Sequence, residues 1–378
     1  MKAVILSCNT GGGHNAAAQA VRQAMTLRGH EALVLDYLAL AGPKVSRAVG
    51  GGYVGLVQHS PKAFGAVYGL GRKVSGMVDR SPIYYANSAM AKYLREYFSE
   101  HPVDVILTTH LYAAETLTWM RRHGETLPPT IAIATDYTCI PFWGETDCDF
   151  CVIPHEDLTD EFVSKGVPRE KIYPLGIPVA PEYSVPLDKQ EARKALGLDP
   201  GKTIYLIMGG SMGAGNLGRL TSDVARLTSE EAELLVICGS NEQMRSRLTA
   251  RFRRENRIHV WGRSDRMRQL LAACDVLFTK PGGLTSTEAV AARIPLVHTD
   301  PIPGCETANR DFFVERGLSI TGRTIRAQAR AGKLLATDAG AREEMLRAQC
   351  TVLHTDAAQS ICLLAEKCLR EKKWRIVK

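Results

Sequence analysis

Residues 276–288 read Val276-Leu277-Phe278-Thr279-Lys280-Pro281-Gly282-Gly283-Leu284-Thr285-Ser286-Thr287-Glu288, and this stretch decides the fold. Three apolar residues form a buried-strand pattern, Lys-Pro-Gly-Gly breaks it, and the Thr/Ser run opens a helix. Backbone amides and small hydroxyls at a helix N-terminus suit phosphate oxygens. Glu288, one turn in, can accept two hydrogen bonds from vicinal hydroxyls such as those of a ribose.

The same order recurs twice. The strand pattern Ile204–Met208 runs into Gly209-Gly210-Ser211-Met212-Gly213-Ala214-Gly215, and Ala3–Ser7 runs into Thr10-Gly11-Gly12-Gly13-His14 and a helix over His14–Arg28. Further short apolar runs lie at Glu31–Leu35, Val103–Leu107, Thr130–Ala134, Phe150–Ile153, Leu234–Cys238, His259–Val260 and Leu296–His298. Such runs separated by helical patterns predict βαβ units and parallel sheets. A chain of 378 residues exceeds the usual size of a single core. Residues 176–189 hold three prolines and little periodicity, which marks a linker. The expected organisation is an N-terminal domain over 1–177, a linker over 178–190, a second domain over 191–356 and a C-terminal helix over 357–378 that can cross back to the first. The fold class is α/β, with two Rossmann-like doubly wound domains facing across a cleft and ligands at the carboxyl ends of the strands.

The composition, 45% hydrophobic and 23% charged, excludes a disordered chain and a polytopic membrane protein. No apolar run approaches the roughly 18 residues of a spanning helix. With no signal-like start, a cytoplasmic location is expected. The ten scattered cysteines fit reduced thiols better than a disulfide framework. The net charge of +7 lies wholly in the second half: residues 1–180 carry 16 Lys+Arg against 17 Asp+Glu, and residues 181–378 carry 31 against 23. That asymmetry points to an anionic partner.

Between Asp36 and Asp79 there is no acid, while Lys44, Arg47, Lys62, Arg72 and Lys73 are interleaved with Tyr53, Phe64, Tyr68 and many glycines. This composition fits either a membrane-docking segment over about 43–78 or a glycine-rich loop and helix completing the first domain. The C-terminal helix, Ala357–Ile376, ends in Lys372, Lys373, Trp374 and Arg375, which suits a headgroup region or a solvated helix end. The arginine-rich stretch 245–268 reads as a solvated face or a contact with anionic lipid. No nucleic-acid reading motif accompanies it.

His14 directly follows the first glycine turn, where an imidazole can take a proton from a hydroxyl at neutral pH or simply cap the helix. The turn lacks the G-x-G-x-x-G spacing and the P-loop Gly-Lys-Ser/Thr. Asp147-Cys148-Asp149 has a D-x-D form but reads as a turn, and Cys148 and Cys151 lack the second pair a zinc site needs. No metal site is expected.

Gly-Gly-Gly-His, Gly-Gly-Ser-Met-Gly-Ala-Gly, Thr-Lys-Pro-Gly-Gly-Leu-Thr-Ser-Thr-Glu-Ala and Pro-Ile-Pro-Gly-Cys-Glu-Thr-Ala-Asn occur in this order over nearly the whole chain. The set resembles glycosyltransferase family 28, in the branch of monogalactosyldiacylglycerol synthases and processive diacylglycerol glucosyltransferases. The resemblance implies a GT-B fold, a UDP-sugar bound by the C-terminal domain, a membrane lipid acceptor on the N-terminal domain, and inversion without metal or other cofactor. It implies a peripheral enzyme on the cytoplasmic face of an anionic membrane. Carried over, Gly210, Ser211 and Gly213 approach the diphosphate, and Gly282, Gly283 and Thr285 line its other side. Glu288 holds the ribose, Glu306 and Asn309 face the donor sugar, and uracil lies near residues 260–263. His14 is the acceptor-side catalytic candidate beside Gly12 and Gly13. The family's Thr-Asp and His-x-x-Trp motifs correspond to Thr135-Asp136 and to Trp143, with Ile140 in place of the histidine, so either His14 or Asp136 is the base. Cys305 stands where the family places a sugar-contacting glutamine, which leaves the donor sugar open. The alternatives within this architecture are GlcNAc transfer to a polyprenyl-linked precursor, a UDP-sugar epimerase and a non-catalytic UDP-sugar sensor.

Overall fold

The computed structural model describes residues 1–9, 11–75, 80–228 and 230–376. Among the described residues, twelve strands form two six-stranded, all-parallel sheets. The first contains β1 (Lys2–Ser7), β2 (Glu31–Asp36), β3 (Val105–Thr108), β4 (Thr130–Ile133), β5 (Phe150–Val152) and β6 (Ile172–Tyr173), in the order β2-β1-β3-β4-β5-β6. The second contains β7 (Thr203–Met208), β8 (Ala232–Ile237), β9 (Ile258–Trp261), β10 (Val276–Thr279), β11 (Leu296–His298) and β12 (Ile320–Thr321), in the order β12-β11-β10-β7-β8-β9. Strands covered by helices on both faces are predominantly apolar, and β3, β4, β8 and β10 are buried at every position. In each sheet the strand order reverses beside the first strand, between β1 and β3 and between β7 and β10. Ligands bind at such reversals, outside the carboxyl ends.

The chain divides into two compact units. The first comprises residues 1–181, 303–305 and 354–378, and the second 182–302 and 306–353. The C-terminal helix Ala357–Ile376 belongs to the first unit, where Ile361, Cys362 and Ala365 share a core with Ile5, Val21 and Leu107. Arg28 pairs with Glu366 at 2.8 Å and His30 reaches the same carboxylate at 2.9 Å, which holds the Glu366 carboxyl down near about 2.

Two features escape the hydrophobic pattern. The edge strands β6 and β12 are two residues each, too short for a periodic signal. The acid-free stretch forms two helices, Pro43–His59 and Pro61–Ser75, each with proline in its first turn, rather than one loop and helix. Residues 76–79 lie outside the described residues, as do the side chains of Tyr53, Lys62, Phe64, Arg72 and Lys73 and of Lys372, Lys373, Trp374 and Arg375 at the C-terminus. Ser46 on the first of these helices donates to Asp36 at the end of β2, and Gly50 is buried against the Asn9 carbonyl. The helix therefore rests directly on the loop that carries His14.

Candidate active site

In the first unit, three neighbouring strands end at one place. β1 delivers the turn before His14, β3 delivers Thr109 and His110, and β4 delivers Thr135 and Asp136. Thr10 lies outside the described residues, and Gly12 and Gly13 open the helix Gly12–Leu27. A polar chain braces this turn: Asn9 donates to Asp36 at 2.7 Å, Asn15 to Asn9 at 2.5 Å, and Ser7 to Asn15 at 2.5 Å. Thr109 Oγ1 donates to the His14 carbonyl at 3.0 Å.

The His14 ring has one consistent tautomer. Its Nδ1 lies 2.8 Å from the Thr109 carbonyl oxygen, which can only accept, so Nδ1 carries the proton. Thr135 Oγ1 lies 3.1 Å from the same nitrogen. Nε2 therefore presents its lone pair and has no partner among the described residues. Burial lowers the His14 pKa below its ordinary value, while the Asp136 charge and the Thr109 hydrogen bond oppose that shift. The ring packs edge-on to His110, with centroids 4.6 Å apart. His110 Nδ1 accepts from the Tyr112 backbone at 3.2 Å, and burial together with His14 holds His110 neutral, well below its usual pKa. A buried neutral imidazole beside His14 keeps bulk water from one face of the base.

Asp136 is half-buried and couples electrostatically to His14. Trp143 is 3% exposed, so it supports the loop from within rather than offering an open face. The preceding Phe142 holds φ 76°, a left-handed conformation costly for a bulky residue. Its ring lies beside Gly71 of the helix Pro61–Ser75, where a Cβ would sit 3.5 Å away. Asp147 and Asp149 are engaged by Lys171 and Arg121 at 2.5 and 2.6 Å, which accounts for the D-x-D pair structurally. Cys148 and Cys151 are buried thiols pushed up to about 12.

In the second unit the two glycine-rich loops flank the β7/β10 reversal. Gly210 has φ 68°, a conformation that favours glycine, and a Cβ there would lie 2.6 Å from Lys280 Cε, so Lys280 passes close between the loops. Gly213 at φ 60° packs against the Cys238 carbonyl, and Ser211 is exposed, its carbonyl accepting from Ser240 at 2.9 Å. Gly282 caps the helix Gly283–Ala291, and Thr285 is half-buried in its first turn. Ser286 instead points inward to His298 at 2.9 Å. Glu306 is 7% exposed, pairs with Lys280 through Oε1 and accepts from the Ile302 backbone at 2.8 Å through Oε2. Asn309 is fully buried and donates to the Pro281 carbonyl at 3.0 Å, so it braces the Lys-Pro-Gly-Gly turn. Residues 260–263 lie at the end of β9, two strands from the reversal.

Glu288 is half-buried, and burial lifts its carboxyl to about 7. If Glu288 holds a ribose, as the resemblance implies, two hydroxyls donating to it would favour the charged form and binding UDP would release a proton. UDP affinity should then weaken as pH falls from about 7, by up to about tenfold per unit. Titration calorimetry in buffers of different ionisation enthalpy reads both effects, and Glu288→Gln should flatten the profile. An equally pH-independent affinity in the unsubstituted protein would remove Glu288 from the ribose site.

Sequence reasoning passed over Lys280, His110 and Thr109. The signal for Lys280 was its place as the one cation inside the most specific motif. For His110 it was position alone, directly after a strand.

Residues 14–179 match the monogalactosyldiacylglycerol (MGDG) synthase family, and residues 188–349 match the glycosyl transferases group 1 family. A processive diacylglycerol beta-glucosyltransferase of Staphylococcus saprophyticus is 28% identical over 65% of this chain, which spans 62% of that relative's length. A probable chloroplastic monogalactosyldiacylglycerol synthase 2 of Oryza sativa subsp. japonica is 29% identical over 86% of this chain and 72% of its own. Among solved structures, Acinetobacter baumannii MurG superposes with a TM-score of 0.61 at 16% identity, covering 97% of this chain and 100% of that one. The Staphylococcus aureus MnaA–UDP structure gives 0.64 at 14%, covering 96% and 95%. The two parallel sheets and these neighbours make the fold GT-B.

Proposed function

We infer that this chain, a member of the monogalactosyldiacylglycerol synthase and processive diacylglycerol glucosyltransferase branch of glycosyltransferase family 28, moves a hexose from a UDP-sugar to a diacylglycerol-type lipid. The transfer proceeds with inversion and without a catalytic metal. The observation that carries this reading is Lys280, threaded between the two glycine loops at the β7/β10 reversal and held by Glu306.

A hydroxyl of the acceptor attacks the anomeric carbon of the donor. The new C–O bond forms as the bond to the diphosphate breaks, and the hydroxyl proton passes to His14 Nε2. Charge developing on the leaving diphosphate is met by Lys280, by loop amides and by the N-terminus of the helix Gly283–Ala291. Asp136 favours the imidazolium that His14 becomes. The surface of the first unit supports a membrane-bound acceptor: Val45, Val49, Leu70 and Tyr85 are exposed, with the basic Lys44 and Arg47 alongside. No helix among the described residues is long and apolar enough to cross a membrane.

The test is incubation with a panel of UDP-sugars and vesicles of diacylglycerol in anionic or neutral phospholipid, read by mass spectrometry. A glycosyl-diacylglycerol of inverted anomeric configuration, formed equally with EDTA and faster on anionic vesicles, is expected. Loss with EDTA and recovery with Mn²⁺ would refute metal independence, and equal rates on both vesicles would refute charge-assisted docking. Conversion of the UDP-sugar without lipid would instead identify an epimerase.

A further inference from the structure

A cavity of about 660 Å³ lies in the second unit at the amino ends of its strands, the end of the sheet opposite the glycine-rich loops. Its walls are the segment 183–187 and the starts of β7, β10 and β11. Among the described residues six cations line it, and Asp275 is the one lining acid. Lys189 and Arg193 both pair with Asp275, at 2.7 and 2.6 Å, and Lys202 pairs with Glu233 at 3.4 Å. The remaining three, Arg268, Arg293 and Arg342, have no carboxylate partner among the described residues.

Two of these are held by backbone carbonyls rather than by carboxylates. Arg342 donates to the Leu335 and Ala336 carbonyls at 3.2 and 3.4 Å. Arg268 spends Nη2 on the Val185 carbonyl at 2.9 Å, while its Nε is buried without any acceptor. Arg293 follows the helix Gly283–Ala291 at φ 55°, the left-handed position where glycine normally ends a helix. A side chain there carries backbone strain that glycine would not. The rest of the wall is apolar, with Leu187, Leu271, Ile294 and Leu346.

We propose that this cavity binds the phosphate of an organic phosphate ester, with the guanidinium groups of Arg268, Arg293 and Arg342 on the oxygens and the ester's apolar body against the leucine wall. Guanidinium forks match phosphate oxygens, and the volume falls in the range of small-ligand pockets. The site is separate from the donor loops and accounts for part of the positive excess of the second half. Tyr183 also lines the cavity, and burial, with the Glu288 charge nearby, pushes its phenol up.

The experiment is calorimetric titration of the whole chain with hexyl phosphate, below its micellar concentration and with UDP saturating the donor loops. One saturable site is expected, with inorganic phosphate at least about tenfold weaker because it lacks the apolar body. Arg293→Gly should lose about tenfold or more in affinity with an unchanged or higher Tm, since glycine takes that φ freely. Arg268→Gln should lose a similar factor. No saturable binding, binding abolished by UDP, or full affinity in Arg293→Gly would overturn the site. Inorganic phosphate binding as tightly as the ester would overturn the ester assignment. Vesicles of phosphatidylcholine with dicetyl phosphate separate the sources: competition with hexyl phosphate assigns a lipid headgroup, and retained binding without competition assigns a soluble ester.

Discussion

His14→Ala should lower kcat by about 10²- to 10⁴-fold, the range a positioned general base contributes, while UDP binding in the other unit stays intact. The reason is geometric. Thr109 fixes the Nδ1 proton at 2.8 Å, so Nε2 alone can take the acceptor proton, and alanine leaves no group in its place. The pH profile gives a second check. The His14 pKa lies below the ordinary imidazole value, so kcat at saturating donor should hold through neutral pH and fall on the acid side as the ring charges, whereas kcat/KM also carries the Glu288 titration. Removing the Asp136 charge takes away what raises that pKa. Asp136→Asn should therefore shift the acid limb to lower pH and weaken the base at the same time. Near-normal turnover in His14→Ala, with loss confined to Asp136→Asn, would make the aspartate the base. Near-normal turnover in both would end this assignment.

Replacing Lys280 should have an effect of similar size for a different reason. A diphosphate leaving without metal needs a fixed counter-charge, and removing one such donor typically costs about 10²- to 10³-fold in kcat. Lys280→Met alone leaves the 7%-exposed Glu306 as a buried, unpaired carboxylate, which by itself threatens folding. The informative comparison is Lys280→Met with Glu306→Gln, which keeps the pocket neutral, against Glu306→Gln alone, which carries any loss of a sugar contact. Steady-state kinetics on the double variant, with its Tm within a few degrees of the unsubstituted chain, should show the loss chiefly in kcat. A kcat reduced by less than about threefold would mean that the loop amides and helix dipole suffice, and Lys280 would be a structural cation. Addition of Mn²⁺ should not restore the rate.

Much of the architecture was legible in the sequence because its determinants are local. Parallel strands covered on both faces must be short apolar runs, and a backbone that turns at once toward an anion must be glycine. The runs at Ile204–Met208 and Val276–Phe278, each followed by glycines, therefore announced the sheet and its loops without any contact being known. The two-residue strands β6 and β12 were invisible for the same reason, since two residues carry no period. The acid-free stretch was legible as basic and glycine-rich, yet its two helices were not, because glycine weakens the helical signal.

What only the tertiary structure decided concerns residues brought together by strand order. The reversal between β7 and β10 sets Gly210 against Lys280, 70 positions away, a proximity that nothing near either residue announces. The tautomer of His14 depends on the carbonyl of Thr109, which follows another strand and leaves no mark near position 14. Asn309 and Trp143, apt for ligand contact by motif, are turned into the protein, because a buried loop must satisfy its own carbonyls and fill its own core. The charge excess of the second half was countable from the sequence. Which arginines lack a carboxylate around the cavity under β7 and β10 depends on the packing of helices, since ion pairing is a property of distance and not of composition.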